Sequence, residues 1–108
     1  MQLENLFHIS RLPGTSQQEI FETLCASKTM RIERIISTGQ TTPANTWLAQ
    51  PENEWVILLQ GNAQLEFVEG KIIQLLPGDY LIIPSGTKHR VSYTSTDTPC
   101  IWLAIHYT

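Results

Sequence analysis

The residue best placed for chemistry in this sequence is His89, because two tight turns lead the chain up to it. A Pro-Gly-Asp turn and a Pro-Ser-Gly turn flank the apolar run Tyr80 to Ile83, which is too short for a helix and has the length of a core strand. His89 then opens a second strand, on which Val91 and Tyr93 share its face by two-residue alternation. A histidine side chain on a strand that faces the interior of a β-sheet fold is a candidate metal ligand or hydrogen-bonding group. Val91 and Tyr93 are candidate cavity-lining residues.

The turns before His89 resemble the second motif of the cupin family, G-x5-P-x-G-x2-H-x3-N. Its first four fixed positions are matched by Gly78, Pro84, Gly86 and His89, and Tyr93 stands where the motif has asparagine. The resemblance is specific for the fold and covers roughly residues 31 to 107.

The first cupin motif, G-x5-H-x-H-x3,4-E-x6-G, is matched only in its second half, by Glu54 and the glycine seven positions after it. Counting back from Glu54, the two motif histidines would fall on Trp47 and Ala49, or on Leu48 and Gln50. The chain is therefore similar to a small single-domain cupin with a degenerate first motif, in which half of the usual metal ligands are missing.

The resemblance implies an all-β fold, a double-stranded β-helix or jelly-roll barrel, in which Glu54 points into the cavity near His89. A buried carboxylate is costly unless it pairs with a cation or holds a proton, and no Lys or Arg is evident on its face. Glu54 and His89 suit a divalent ion such as Zn, Fe, Mn or Ni. We expect Gln50 as a weaker third metal ligand, His106 as a candidate fourth, and Trp47 as a cavity-lining residue. The alternative is a cup without metal, in which His89 hydrogen-bonds to Glu54.

Length and composition predict one small globular domain. The 108 residues are 42% hydrophobic and 16% charged, with a formal net charge of −3. The seven Lys and Arg residues form no stripe, which argues against a nucleic-acid or anionic-membrane surface. No run reaches the about 18 apolar residues of a transmembrane helix, and the N-terminal residues lack signal-peptide features, so we expect a cytoplasmic protein. Cys25 and Cys100 are expected to be buried free thiols.

Two parts are predicted along the chain, an N-terminal arm with a short helix over residues 1–30 and a barrel over residues 31–108. Ser16-Gln17-Gln18-Glu19 has the pattern of a capping box, and the apolar stripe after it predicts a helix over residues 17–26 that packs on the barrel. From residue 31 the pattern becomes that of short strands separated by turns. Eight β-like runs follow, at residues 31–37, 46–50, 55–60, 63–68, 71–76, 80–83, 89–94 and 101–107.

Two classes of function agree with these features. The first is a small metal-dependent cupin that acts on a small organic molecule as an isomerase, a lyase or a dioxygenase. The second is a cupin without metal that binds a small ligand as a sensor or storage module. Residues 55–59 and 101–107 are apolar on both faces of their predicted strands, so we also expect a homodimer.

Overall fold

The fold consists of eight β-strands and contains no helix. The structure, a computed structural model, describes all 108 residues. The strands are β1 (Ile20–Ala26), β2 (Met30–Ser37), β3 (Asn53–Gln60), β4 (Ala63–Phe67), β5 (Ile72–Leu75), β6 (Tyr80–Ile83), β7 (His89–Thr94) and β8 (Cys100–Tyr107). No helix long and apolar enough to cross a membrane is therefore present.

The strands form two antiparallel sheets that pack face to face. The larger sheet has the strand order β1-β2-β8-β3-β6, and the smaller sheet has the order β5-β4-β7. Strands β3 and β8 are neighbours although they are far apart in the sequence, as in a jelly roll. The all-β jelly roll predicted from the sequence is confirmed.

Alternation along the strands decides which side chains fill the space between the sheets. In β4, Ala63, Leu65 and Phe67 are buried, whereas Gln64 and Glu66 between them are half-buried. Burial of the apolar set is the main favourable contribution to folding. The core cluster comprises Val56, Leu58, Ala63, Leu65, Phe67, Leu75, Ile83, Cys100, Trp102 and Ala104.

The segment predicted as a helix is strand β1, so that prediction is wrong. Residues of β1 pair with β2 in antiparallel register, with a β-bulge between Thr23 and Cys25. The apolar stripe that suggested a helix has only three members, too few to outweigh backbone pairing with the free edge of β2. As a result Cys25 is exposed on an edge strand, whereas Cys100 is buried as expected.

The predicted strand at residues 46–50 is reduced to a single β-bridge between Leu48 and His89. The Leu48 N–H donates to the His89 carbonyl at 2.7 Å, and the His89 N–H donates to the Leu48 carbonyl at 2.9 Å. Contact with the turn before β7 continues at Gln50, whose carbonyl accepts from the Gly86 N–H at 2.8 Å. The bridge holds residues 46–50 beside β7 and brings Trp47 and Gln50 to the space between the sheets.

The arm before β1 is held on the outer face of the larger sheet by Arg34. Its Nη1 donates to the carbonyl oxygens of Asn5, Leu6 and His8 at 3.0 to 3.3 Å. Its Nε donates to Glu22 Oε1 at 2.8 Å. Thr38 and Gln40 hold the arm further along, by donating to the carbonyl oxygens of Pro13 and Gly14 at 2.7 and 2.9 Å.

Candidate functional site

A cavity of about 490 Å³ lies between the two sheets. Its walls come from both sheets and from residues 47–50, and most of its lining is apolar. The apolar lining residues are Phe21, Ile35, Trp47, Leu48, Ala49, Val56, Leu65, Ile83, Val91 and Trp102. A cavity of this size and lining suits a small organic molecule.

Three polar residues form one row across the part of the cavity made by the larger sheet. Arg31 in β2 lies opposite His106 in β8, and His106 lies opposite Glu54 in β3. Residues directly opposite in antiparallel strands project to the same face, and all three line the cavity. The strand register thus gives the orientation of His106, which the sequence left open.

Glu54, Gln50 and His89 form the first polar cluster. Glu54 and His89 are 9% and 5% exposed. Gln50 Nε2 donates to Glu54 Oε1 at 2.6 Å, and the same oxygen lies 4.0 Å from His89 Nε2. That second distance is too long for a hydrogen bond. The fold therefore brings the predicted pair together, but His89 makes no direct hydrogen bond to Glu54.

The tautomer of His89 follows from the partner of its other nitrogen. Nδ1 lies 2.9 Å from the Thr87 carbonyl oxygen. A carbonyl oxygen only accepts, so Nδ1 carries the proton and Nε2 of the neutral ring presents a lone pair. Nε2 and the Glu54 carboxylate are then two acceptors separated by 4.0 Å. The space between them suits a cation or a hydrogen-bond donor.

Glu33, His106 and Arg31 form the second polar cluster. His106 Nε2 lies 3.0 Å from Glu33 Oε1, and Arg31 Nε lies 3.3 Å from Glu33 Oε2. Arg31 Nη1 also donates to Glu52 Oε2 at 3.2 Å. Since an ionised carboxylate only accepts, Nε2 of His106 carries the proton. Its Nδ1 is a buried acceptor with no partner within the protein.

Glu19 adds a third carboxylate to the cavity. Ser37 Oγ donates to Glu19 Oε2 at 2.6 Å, and the Trp102 indole N–H donates to Ser37 Oγ at 3.2 Å. Burial raises the pKa of the Glu19 carboxyl above its ordinary value of 4.5, and the hydrogen bond from Ser37 opposes part of that rise. The raised pKa means that the negative charge of Glu19 is poorly compensated in the protein.

Two of the three residues predicted to line the cavity, Trp47 and Val91, do so. Tyr93 does not, because the pairing of β7 with β4 skips Ser92. This extra residue interrupts the alternation that starts at His89, and Tyr93 is 46% exposed on the outside.

The sequence did not point to Glu19, Arg31 or Glu33 as site residues. In β2, Arg31 and Glu33 alternate with Ile32 and Arg34, so each face carries charge and the alternation does not identify the inward face. Glu19 resembled the last residue of a helix capping box. Their assignment to the cavity depends on strand pairing, which only the structure provides.

The cavity side chains do not by themselves provide a complete set of metal ligands. No three His, Cys, Asp or Glu side chains come together in an arrangement that could hold a metal ion. Two ligands at about 2.1 Å from a tetrahedral ion lie about 3.4 Å apart, less than the 4.0 Å between Glu54 Oε1 and His89 Nε2. Gln50 directs its amide N–H to Glu54, and His106 is bound to Glu33. We therefore assign no chemical step to a resident metal.

The fold and the His89 motif agree with a comparison against known families. Residues 35–106 match the family model of the cupin domain. Because this match covers most of the chain, the protein belongs to the cupin domain family.

The chain is similar to the following three proteins, among others. A crystal structure from Ralstonia eutropha JMP134, named "putative mannose-6-phosphate isomerase", is 37% identical with a TM-score of 0.89, covering 99% of this chain and 98% of that chain. A cupin superfamily protein from Desulfitobacterium hafniense DCB-2 is 22% identical with a TM-score of 0.71, covering 99% and 98% of the two chains, and this likeness shows the fold alone. The RCS-specific HTH-type transcriptional activator RclR of Escherichia coli (strain K12) is 38% identical over 47 residues, which are 44% of this chain and 16% of the activator.

Proposed function

We propose that the protein binds a small organic molecule in the cavity, with a polar group of that molecule held between Glu54 and His89. The observation that carries the proposal is the 4.0 Å separation between Glu54 Oε1 and His89 Nε2, two acceptor atoms on buried side chains. Oε1 accepts one hydrogen bond, from Gln50, and Nε2 accepts none within the protein. A donor group of a ligand placed between the two atoms would give Nε2 a partner and Oε1 a second one.

The surroundings of this pair favour binding. The Gln50 amide fixes the carboxylate of Glu54, and the Thr87 carbonyl fixes the ring of His89. Both polar groups are therefore oriented before a ligand arrives, which reduces the entropy lost on binding. The apolar wall around them, including the indole of Trp102, can bury the apolar part of the ligand. This is the ligand-binding cup that the sequence allowed as its second class of function.

The three tryptophans allow a direct test. Trp47 and Trp102 line the cavity, whereas Trp55 lies outside it with its ring centroid 5.3 Å from that of Tyr80. Amines, alcohols and carboxylates of about six to eight heavy atoms are titrated into nitrogen-15-labelled protein. Binding compounds should move the indole N–H signals of Trp47 and Trp102 and leave the Trp55 signal unchanged.

The binding should also depend on the polar pair. For a compound that moves the cavity indoles, Glu54→Gln and His89→Ala are each expected to weaken binding by about tenfold, since each removes one acceptor. Circular dichroism shows whether the variants keep the fold. Equal movement of all three indole signals, or unchanged affinity in both folded variants, would contradict the proposal.

An exchangeable divalent metal ion is the second candidate for the same space. The orientation of His89 favours it, because metal-binding histidines commonly donate their other ring N–H to a carbonyl or a carboxylate, as His89 Nδ1 does to Thr87. Glu54 and the amide oxygen of Gln50 would be the remaining protein ligands, and water or a bound molecule would complete the coordination.

The metal candidate is tested with the ions alone. Zn, Mn, Fe or Ni is added singly to protein freed of metal with a chelator, and the melting temperature is recorded. Metal binding predicts a rise that His89→Ala abolishes and Glu54→Gln reduces. If none of the four ions gives a rise that depends on His89, the cup without metal is the account that remains.

A further inference from the structure

Two carboxylates of the cavity lack a positively charged partner. Glu54 has only the Gln50 amide within hydrogen-bond distance, and Glu19 has only the Ser37 hydroxyl. A buried carboxylate normally pairs with a cation because desolvation of its charge is costly. The cavity therefore contains negative charge that the protein itself does not balance.

Carboxylates of the sheets that lie away from the cavity are paired. Glu22 Oε1 lies 2.8 Å from Arg34 Nε, and Glu66 Oε1 lies 2.9 Å from Arg90 Nη1. The contrast shows that the sequence supplies arginine partners elsewhere in the sheets. The absence of such partners is specific to the cavity.

The one arginine of the cavity is already neutralised. Arg31 lies 3.3 Å from a Glu33 oxygen and 3.2 Å from a Glu52 oxygen. With neutral imidazoles, the lining carries three carboxylates, Glu19, Glu33 and Glu54, against this one guanidinium. An anionic ligand such as a phosphate ester would find no unpaired cation and would meet like charge.

The His89 nitrogen beside Glu54 is an acceptor. Nε2 presents a lone pair because Nδ1 donates to Thr87. A ligand group that satisfies this nitrogen and the Glu54 carboxylate must bring donors, and an ammonium group has three donors and no acceptor.

We infer that the ligand of this cavity is a small organic cation, an amine with an apolar body, whose charged nitrogen lies beside Glu54 and His89. The inference rests on the proposed function, that the cavity binds a small organic molecule, and adds the chemical class of that molecule.

Three probes with the same cyclohexyl group and nearly equal size separate the effect of charge from the effect of shape. Cyclohexylmethylamine, cyclohexylmethanol and cyclohexanecarboxylate are cationic, neutral and anionic at neutral pH. Each is titrated by calorimetry into the full chain in the presence of a chelator, so that metal plays no part. We expect the amine to bind at least about tenfold more tightly than the alcohol, and the carboxylate not to bind.

The variants show whether the unpaired carboxylate beside His89 causes the preference. Glu54→Gln should reduce the ratio of amine to alcohol affinity several-fold, whereas Glu66→Gln, which changes a paired carboxylate away from the cavity, should leave it unchanged. A ratio unaltered in Glu54→Gln overturns the inference. Equal affinity for amine and alcohol, or tightest binding of the carboxylate, overturns it while the ligand-binding cup stands. Failure of all three probes to bind overturns the cup as well.

Discussion

Glu19 is a carboxylate whose charge is opposed by its surroundings. Burial at the cavity raises the pKa of its carboxyl above 4.5, and the hydrogen bond from Ser37 offsets only part of that effect. The folded protein therefore holds the proton of Glu19 more tightly than the unfolded chain does. Above pH 4.5, where the unfolded carboxyl is ionised, the folded state must either keep the proton or bury the charge. The stability that Glu19 contributes is present below this pH and is lost as the pH rises through the raised pKa.

Glu19→Gln should remove this dependence on pH. We expect the melting temperature of the variant, relative to that of the unchanged protein, to increase as the pH is raised from about 4 to about 7. Scanning calorimetry across this range provides the measurement, and Glu69→Gln, at an exposed turn, is the matched control. A difference between Glu19→Gln and the unchanged protein that is constant with pH would contradict the prediction.

His89 and Glu54 could be located from the sequence because each stands at a fixed position of a cupin motif. His106 was a candidate whose orientation the sequence left open, and Glu33 was not identified, since their meeting depends on β2 and β8 being neighbours. Tyr93, in contrast, was predicted to line the cavity and does not. Its spacing from His89 was right for the inward face, but the bulge at Ser92 is a property of the pairing with β4 and leaves no clear mark in the sequence.

The turn between β3 and β4 depends on a glycine for two reasons. Gly61 has a φ of +91°, which side chains disfavour, and a Cβ there would lie 2.8 Å from Cys100 Sγ and 3.0 Å from Cys100 Cα. Gly70, in the turn between β4 and β5, has a φ of +94° but nothing within 4 Å of the corresponding Cβ position. Substitution at Gly70 therefore measures backbone strain alone, whereas substitution at Gly61 measures backbone strain together with a steric clash.

Gly70→Ala should cost about 1 to 2 kcal/mol from the left-handed backbone alone, and Gly61→Ala about 3 to 5 kcal/mol because a clash with β8 is added. Urea unfolding followed by tryptophan fluorescence gives both free energies of unfolding. Equal losses in the two variants would show that β8 moves away from the turn at little cost.

Strands β6 and β7 have the bounds predicted from the sequence, and proline and glycine turns stand on both sides of β6 and before β7. Strand β1 has no such turn residues directly before or after it. Its residues Ile20 and Phe21 fit a helix stripe and a strand equally well, and the free edge of β2 decides between the two. The local sequence pattern therefore predicts a strand correctly where turns mark its limits. It does not predict a strand that forms by pairing with a partner distant in the sequence.

The outer face of the larger sheet carries a continuous apolar surface. Cross-strand partners Trp55, Ile82 and Ile105 form one row, and Ile57, Tyr80 and Leu103 form the next. Ile82 and Tyr80 are 56% and 61% exposed. The N-terminal arm is bound beside β2 through Arg34, at the other side of the sheet. Since no helix covers this surface, a second copy of the chain is the partner that the sequence prediction of a homodimer requires.

Ile82→Glu is expected to convert a dimer into a monomer, because it places a charge in the centre of an interface that would otherwise bury an apolar side chain. Light scattering coupled to size exclusion at micromolar concentration should give twice the mass of the 12.3 kDa chain for the unchanged protein and a single mass for the variant. Ile72→Glu, at a side chain 59% exposed on the smaller sheet, is the matched control and should remain a dimer. A monomer mass for the unchanged protein would exclude the dimer under these conditions. Loss of the dimer in Ile72→Glu as well would place the interface elsewhere.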